Sequence, residues 1–202
     1  MSHYFTNDDT APLVTRTIRA RIFGNELELT TANGVFSGSR LDLGTSVLLR
    51  TVPPPTAGHL LDLGCGYGPI AVGLAAASEG ITVDAVDVNV RALELTARNA
   101  ASLGVADRVT AVSPEAVGAD VLYDEIWSNP PIRIGKEALH ALLLQWLPRL
   151  RPGGAAHLVV SKNLGGDSLA AWLAGQGWPT SKRASAKGFR ILTVRDGGQG
   201  AA

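Results

Sequence analysis

Apolar runs of strand length alternate with segments of helix length over residues 59–176, and this alternation constrains the fold more than any other feature of the sequence. The pattern predicts strands at 59–64, 81–87, 108–112, 125–129 and 154–161, and helices at 69–79, 90–103, 136–150 and 167–176. Asn89 and Asp167 are the predicted N-caps of two of these helices. Repeated strand–helix units favour an α/β fold with a mainly parallel sheet, because parallel strands need long crossover connections.

The segments on either side of this repeat predict an appendage and a closing hairpin. Residues 13–36 predict two or three short strands, residues 41–52 a short helix, and residues 53–55, all proline, a stiff linker. Residues 178–186 and 188–195 predict a final hairpin that turns at Lys187. We therefore expect an N-terminal extension or flap over residues 1–55, a main domain over 56–196 and a disordered tail over 197–202.

Composition limits the environment and the partners that we expect. The net charge is zero over 202 residues, and the single cysteine, Cys65, excludes an internal disulfide framework and suits a reducing, cytoplasmic location. No apolar stretch approaches the roughly 20 residues that span a bilayer, and the first residues lack the pattern of a secretory signal. The four histidines have no metal-ligand spacing. We expect no membrane partner, no bound metal and a monomeric protein.

Basic residues are nevertheless concentrated in two segments without acidic residues. Residues 168–195 contain Lys182, Arg183, Lys187, Arg190 and Arg195 but no Asp or Glu, and the arginines at 16, 19 and 21 lie in a similar stretch. Such segments indicate either a surface that contacts phosphate groups or an ordinary solvated face.

The stretch LLDLGCGYGPI at 60–70 runs from an apolar strand into Gly64, Gly66 and Gly68 and then into a helix. Glycines let the backbone turn tightly and come close to a ligand. A dinucleotide-binding loop would place its third small residue where this chain has Pro69, and it does not require the preceding Asp62. Taken alone, the loop is explained either by a nucleotide-like ligand or by a structural turn.

Asp87 ends the next predicted strand, where a carboxylate can accept hydrogen bonds from the two hydroxyls of a ribose. Asp84 lies within the strand, so its side chain is expected on the opposite face of the sheet. The alternative for Asp87 is an acid that caps the following helix. Together with the glycine loop, Asp87 favours a ligand that contains a nucleoside.

The stretch IWSNPPIRIGK at 126–136 places Asn129, Pro130 and Pro131 directly after an apolar strand. Prolines fix φ and have no N–H, so they form a rigid corner that exposes the amide side chain before it. The Asn129 side-chain oxygen and the Pro130 carbonyl would then be two acceptors for one amine. The alternative is a turn that only ends a strand.

These stretches together resemble class I S-adenosylmethionine-dependent methyltransferases: DLGCGYG is similar to their first motif, VDVN to their second, and SNPPI to the motif of enzymes that methylate amines. With GVFS and LDLGTSVLL at 34–49, the chain is more closely similar to small-domain methyltransferases that modify N2 of guanine in ribosomal RNA. The resemblance extends from HYF at 3–5 to GFRIL at 188–192. It implies a Rossmann-like, seven-stranded methyltransferase sheet with an antiparallel last strand and a short β-rich N-terminal extension.

The resemblance also implies roles for individual residues. Asp87 would bind the ribose of S-adenosylmethionine, and Glu115, after the third strand, would meet the adenine amine. Phe36 would supply the aromatic contact to the target base, since this chain has Ile132 where many amine methyltransferases have Tyr or Phe; a core position is the alternative for Phe36. The other expected cofactor contacts are Thr45, Asp62, Gly64, Cys65, Gly66, Gly68, Val88, Asn89 and Asn129. The expected substrate contacts are Phe36, Ile132, Arg133, Lys136, Lys162, Lys187 and Arg190.

Asn129, Pro130 and Pro131 are the catalytic residues that the resemblance implies, with two acceptors that hold the amine and turn its lone pair towards the methyl group. The implied partner is RNA, either ribosomal RNA or the small ribosomal subunit. Two alternatives stay open: methylation of another amine, such as a protein glutamine side chain or a DNA base, and a nicotinamide-dependent oxidoreductase. Ile132 counts against the protein glutamine enzymes, which usually have tyrosine there, and Pro69 counts against the oxidoreductase.

Overall fold

The computed structural model of the chain describes residues 14–37, 39–131 and 135–197. The strands in this part of the chain are β1 (Thr15–Ile22), β2 (Asn25–Ala32), β3 (Ala57–Leu63), β4 (Gly80–Val86), β5 (Val109–Val112), β6 (Tyr123–Ser128), β7 (Leu150–Ser161), β8 (Thr180–Ala186) and β9 (Phe189–Arg195). The α-helices are α1 (Leu43–Thr51), α2 (Pro69–Ala77), α3 (Val90–Ser102), α4 (Lys136–Trp146) and α5 (Gly166–Gly175). None of these helices is long and apolar enough to cross a membrane.

β3 to β9 form a seven-stranded sheet in the order β5-β4-β3-β6-β7-β9-β8, and β1 and β2 form a separate antiparallel hairpin. β3 to β7 pair in parallel, whereas β9 is antiparallel to both of its neighbours, β7 and β8. The predicted Rossmann-like α/β sheet with an antiparallel last strand and a short β-rich extension is therefore confirmed. The carboxyl ends of β3, β4 and β6 meet at one edge of the sheet, where open α/β folds bind ligands.

Two details of the predicted helices are wrong. The helix predicted over 136–150 ends at Trp146, and a single 3-10 turn with Pro148 follows it, because proline lacks the N–H that an α-helix needs. Asp167 does not cap α5; the N-cap is Gly165 in a left-handed conformation, and Asp167 pairs with Arg190. The predicted N-cap Asn89 is confirmed, since its side chain accepts a hydrogen bond from the Arg91 N–H.

Helices cover both faces of the sheet, and alternate strand residues point into the two layers. Leu60 packs into one apolar cluster with α1, α2, α3 and the hairpin, whereas its neighbour Leu61 packs into another cluster with α4 and α5. Within the first cluster, α1 contacts β7 and β9, and β2 contacts α2 and α3. The described part of the predicted N-terminal extension thus shares its core with the sheet.

Asn99 is a fully buried polar residue on α3 that joins the hairpin to the segment after β3. Its Oδ1 accepts a hydrogen bond from the Thr30 N–H at 2.7 Å. Its Nδ2 donates to the carbonyl oxygens of Thr30 and Tyr67, both at 2.8 Å. One amide therefore holds three elements in register: β2, α3 and the glycine loop.

Candidate active site

The glycine loop connects the end of β3 to the start of α2. The N–H groups of Gly64 and Cys65 donate to the Val86 carbonyl at 2.8 and 3.0 Å, which ties the loop to the end of β4. Gly68 has a φ of 85°, and a Cβ there would lie 2.8 Å from the Thr96 side chain, so only glycine fits without displacement. A Cβ at Gly66 would meet nothing within 4 Å. The loop therefore packs tightly against α3 at one end and faces open space at Gly66.

Asp87 links this loop to the start of α3. Its Oδ2 accepts a hydrogen bond from the Gly66 N–H and its Oδ1 accepts one from the Asn89 N–H, both at 2.9 Å. Each carboxylate oxygen keeps a further acceptor direction, which suits the two hydroxyls of a ribose. Asp84 lies elsewhere, where its Oδ2 accepts from the Tyr123 hydroxyl at 2.9 Å and lies 3.2 Å from His59 Nε2. Between these two acids, only Asp87 touches the glycine loop.

Asp62 lies beneath the loop, and none of its surface is exposed. Its Oδ2 accepts a hydrogen bond from the Ala71 N–H in the first turn of α2, whereas its Oδ1 has no partner among the described residues. Burial, together with the nearby charge of Asp87, raises the pKa of Asp62 to about 8. Burial also raises the pKa of the Cys65 thiol, with further contributions from Asp62 and Asp87. Cys65 is therefore a small, protonated loop residue and not a nucleophile.

The Asn-Pro-Pro corner begins where β6 ends, and Ser128 fixes it to the neighbouring strand. The buried Ser128 hydroxyl donates to the Leu63 carbonyl at 2.7 Å. Asn129 is half-buried, and its Nδ2 donates to Asp42 Oδ2 at 2.8 Å and to Thr45 Oγ1 at 3.0 Å. The amide nitrogen is thereby turned towards the start of α1, which directs the amide oxygen away from it.

A cleft joins the corner to the glycine loop. It is lined by Phe36, Ser37, Asp42, Thr45, Gly64, Cys65, Gly66, Tyr67, Pro69, Ile70 and Asn129. Six of these residues were predicted from the sequence as contacts of cofactor or substrate: Phe36, Thr45, Gly64, Cys65, Gly66 and Asn129. Asp42 and Tyr67 are among the five lining residues that were not predicted from the sequence as contacts. An acid at the start of the helix predicted over 41–52 was an available signal for Asp42, because Asp is a favoured N-cap residue.

The Tyr67 hydroxyl is buried and has no hydrogen-bond partner among the described residues. Burial, followed by the negative charge of Asp42, raises the pKa of Tyr67 well above its ordinary value. The hydroxyl therefore stays protonated. A buried donor of this kind beside a cleft suits a ligand that brings an acceptor.

Phe36 lies on the loop after β2 and is 60% exposed, so the alternative that it belongs to the core is wrong. Asn89 holds this loop against the start of α3, since its Nδ2 donates to the Gly34 carbonyl at 2.9 Å. Both ends of the Asn89 amide are thus engaged by the protein. Val88, the other residue predicted beside the adenine, has 52% of its surface exposed.

Glu115 and the predicted basic residues lie around the carboxyl edge of the sheet in different settings. Glu115 is exposed in a 3-10 turn, Pro114–Ala116, after β5. Lys136 is exposed at the start of α4. Lys162 follows β7, and its N–H donates to the Gly188 carbonyl at 2.8 Å, which places it beside the turn that carries Lys187. Ile132 and Arg133 lie outside the described residues.

Several arginines of the acid-poor segments have acidic partners from other elements. The Arg190 guanidinium lies against the Asp167 carboxylate, with nitrogen–oxygen distances of 2.9 and 3.2 Å. In the hairpin, the register places Arg19 opposite Glu28 and Arg21 opposite Glu26, and Arg19 Nε lies 3.1 Å from Glu28 Oε2. A stretch of sequence without acidic residues therefore does not give a surface without acidic residues, because strand pairing and helix packing bring acids from other elements beside it.

The residues present fit an S-adenosylmethionine molecule in three respects. Asp87 offers a carboxylate at the loop, a Cβ at Gly66 would meet nothing within 4 Å, and the buried Asp62 Oδ1 has no partner within the part of the chain that the structure describes. Among the described residues, no group of three or more His, Cys, Asp or Glu side chains is arranged to hold a metal ion.

Comparison with known proteins identifies relatives over most of the chain. A family model described as methyltransferase small domain matches residues 26–193. The uncharacterized protein YbxB of Bacillus subtilis is 32% identical over 169 residues, which are 82% of this chain and 84% of that protein. Ribosomal RNA small subunit methyltransferase C of Klebsiella pneumoniae is 36% identical over 143 residues, which are 68% of this chain but only 41% of that enzyme.

The solved structures include a similar N2 methyltransferase of 16S rRNA from T. Thermophilus, in complex with AdoMet and guanosine. The TM-score is 0.77 at 25% identity, and the match covers 91% of this chain and 51% of that one. A methyltransferase from Pyrococcus furiosus shares the fold, with a TM-score of 0.67 and 20% identity over 85% of this chain. The chain thus spans about half, or less, of the ribosomal RNA methyltransferases that it matches. On the match over residues 26–193, the chain belongs to the methyltransferase small domain family.

Proposed function

We propose that this methyltransferase uses S-adenosylmethionine to methylate an exocyclic amine, and that the amine is N2 of guanine in ribosomal RNA. The observation that carries the proposal is the orientation of the Asn129 amide. Its nitrogen donates to Asp42 and Thr45, so the oxygen is the atom left to accept a hydrogen bond in the cleft. With the Pro130 carbonyl as a second acceptor, this corner suits an amine, which has two N–H bonds to donate, better than a hydroxyl, which has one O–H.

The cofactor would lie along the carboxyl ends of β3 and β4. Asp87 would accept hydrogen bonds from the ribose hydroxyls while it keeps its bonds to the Gly66 and Asn89 N–H groups. The glycine loop would pass close to the amino-acid part, and the positive charge of its ammonium group would favour the ionised form of Asp62 beneath the loop. When bound, S-adenosylmethionine supplies an electrophilic methyl group on a sulfonium centre.

The chain's own residues would prepare the amine for attack. The lone pair of guanine N2 is delocalised into the ring, which makes this nitrogen a weak nucleophile. The Asn129 oxygen and the Pro130 carbonyl would each accept one N–H, which favours a pyramidal nitrogen with its lone pair directed at the methyl group. The amine would take the methyl group with sulfur as the leaving group, and the methylated amine would then release one proton to water.

Ribosomal RNA is favoured as the substrate by the relatives and by the rim of the cleft. Ribosomal RNA small subunit methyltransferase C enzymes match more than half of the chain, and the T. Thermophilus enzyme was solved with guanosine. Phe36 offers an exposed aromatic ring at the cleft, which is suited to stacking on a base. Lys136, Lys162 and Lys187 are exposed towards the same edge and would contact phosphates. This assignment places the enzyme in the cytoplasm, with ribosomal RNA or the small subunit as its partner.

A methyl-transfer assay with purified protein, labelled S-adenosylmethionine and small-subunit RNA or particles tests the proposal. Asn129→Ala should lower turnover roughly a hundredfold, the scale of a lost transition-state hydrogen-bond partner, while cofactor affinity measured by calorimetry stays within a few-fold. Asp87→Ala should weaken cofactor binding instead, by about 1–3 kcal/mol. Methyl transfer to protein or DNA with none to RNA would overturn the proposal that RNA is the substrate. Full turnover by Asn129→Ala would overturn the proposed role of Asn129 in binding the amine.

Salt dependence tests the rim separately from the chemistry. RNA binding through phosphates weakens as salt rises, because each neutralised phosphate releases counterions. Lys187→Glu should reduce RNA affinity and the salt slope without changing cofactor affinity. Arg98→Glu, an equal change of charge on the exposed side of α3, is the matched control and should have a smaller effect. Equal effects of the two variants would show that the rim has no special part in binding.

A further inference from the structure

We infer that Asp42 is a positioning residue, which sets the orientation of the Asn129 amide and so decides which of its atoms meets the substrate amine. This inference rests on the proposed amine methylation. Asp42 lies directly before α1, 87 positions from Asn129 in the sequence, and both residues line the cleft.

The hydrogen bonds at Asn129 allow only one orientation of its amide. Asp42 Oδ2 lies 2.8 Å from Nδ2, and an ionised carboxylate can only accept. The second acceptor, Thr45 Oγ1, lies 3.0 Å from the same nitrogen. A hydroxyl can donate as well as accept, so Thr45 alone would tolerate either orientation of the amide. Asp42 is therefore the group that distinguishes the two orientations.

A flipped amide would be unproductive. The NH2 group of Asn129 would then face the amine of the substrate, and two donors would oppose each other. With the amide as it stands, the oxygen is the acceptor, and the adjacent negative charge polarises the amide and strengthens that acceptor. Asp42 would act on the reaction through Asn129, without contact with the substrate amine.

The start of α1 holds Asp42 in place. The same Oδ2 accepts from the Thr45 N–H at 2.9 Å, so the carboxylate also caps the helix. Thr45 is buried, with 4% of its surface exposed. A Cβ at Gly44 would lie 3.0 Å from both Asp42 Oδ2 and a ring carbon of Phe189, so only glycine leaves room for both groups at the start of α1. The capping bond to the Thr45 N–H thus holds the carboxylate at the start of α1, beside Asn129.

Three substitutions separate the positioning role from the capping role. Asp42→Ser keeps a side-chain acceptor for the Thr45 N–H but is too short to reach Asn129. We expect its stability to stay near that of the wild type and its kcat to fall about tenfold, by the loss of one charge-assisted hydrogen bond. Asp42→Asn keeps an oxygen acceptor and should lose less of kcat than Asp42→Ser. Asp42→Ala should lose both kcat and stability. Cofactor affinity should stay within about twofold in all three variants, since Asp87 and the glycine loop are untouched.

A double-mutant cycle with Asn129 decides the question. If Asp42 acts through the amide, adding Asp42→Ser to Asn129→Ala should not lower kcat further. A purely structural role predicts that the two losses multiply, and that result would overturn the inference, as would an unchanged kcat in Asp42→Ser. If Asp42→Ser fails to fold, the same cycle with Asp42→Asn applies. An unimpaired Asn129→Ala would instead overturn the proposed function itself, so the two failures are distinguishable.

Discussion

Replacement of Asn99 by alanine should destabilise the protein by about 3 kcal/mol, because its side chain is the partner of three backbone groups. The change would leave the N–H and the carbonyl of Thr30 and the carbonyl of Tyr67 without the amide. A buried polar group that loses its hydrogen-bond partner costs about 1–3 kcal/mol. The total for the three groups is lower than three times this value, because Thr30 is only half-buried and its backbone groups can bond to water instead. The small space left by the amide adds a further loss of packing.

Denaturant unfolding followed by circular dichroism measures this loss. Asn25→Ala is the matched control: the Asn25 Nδ2 donates to the Ala76 carbonyl across a long 3.4 Å contact at the surface, so its loss should cost less than about 0.5 kcal/mol. Asn99→Asp should be at least as damaging as Asn99→Ala, since a carboxylate would face two carbonyl oxygens. A loss below about 1 kcal/mol in Asn99→Ala would refute the claim that this amide joins the hairpin to the glycine loop.

Two other substitutions test the glycine loop. Burial raises the pKa of Asp62 from 3.8 to about 8. Between these pH values the folded state therefore keeps a proton that the unfolded state has released. The contribution of Asp62 to the free energy of unfolding is full below pH 3.8 and is lost as pH rises through 8. Asp62→Asn should therefore lose less unfolding free energy than the wild type between pH 5 and pH 9, and equal losses would contradict the raised pKa. In thermal unfolding, Gly68→Ala should lower the melting temperature more than Gly104→Ala does. Both glycines have a positive φ, but only at position 68 would the new Cβ meet a side chain, that of Thr96 at 2.8 Å. Similar shifts in melting temperature would show that Thr96 moves aside freely.

The sequence was sufficient to predict those strands, helices and caps that depend on neighbouring residues in the chain. Apolar runs of strand length predicted the strands of the sheet, and the cap at Asn89 followed from its position before a periodic segment. The ends of elements were less accurate, as at Trp146, because a proline two residues further on decides where the helix stops. Local patterns report which residues are buried and how the backbone turns.

Pairs that are distant in sequence could not be predicted in the same way. The bond between Asp42 and Asn129 exists only because the fold brings the start of α1 beside the end of β6, and no pattern around either residue reports the other. The same holds for Arg190, whose partner Asp167 precedes the acid-free segment and reaches it through the packing of α5 on β9. Charge counts along a segment therefore overstated the basic surface, since the strand register and helix packing supply the missing acids.

The strand order also bears on how the chain folds during synthesis. β9 lies between β7 and β8, so β8 is made first but has no place in the sheet until β9 pairs on both sides. Contacts between strands that are distant in sequence form late in folding, because separate parts of the chain must come together before any contact stabilises them. Phe189, at the start of β9, also packs against Gly44, two residues after Asp42. We expect a nascent chain to complete the packing around Gly44, at the start of α1, only after β9 has joined the sheet.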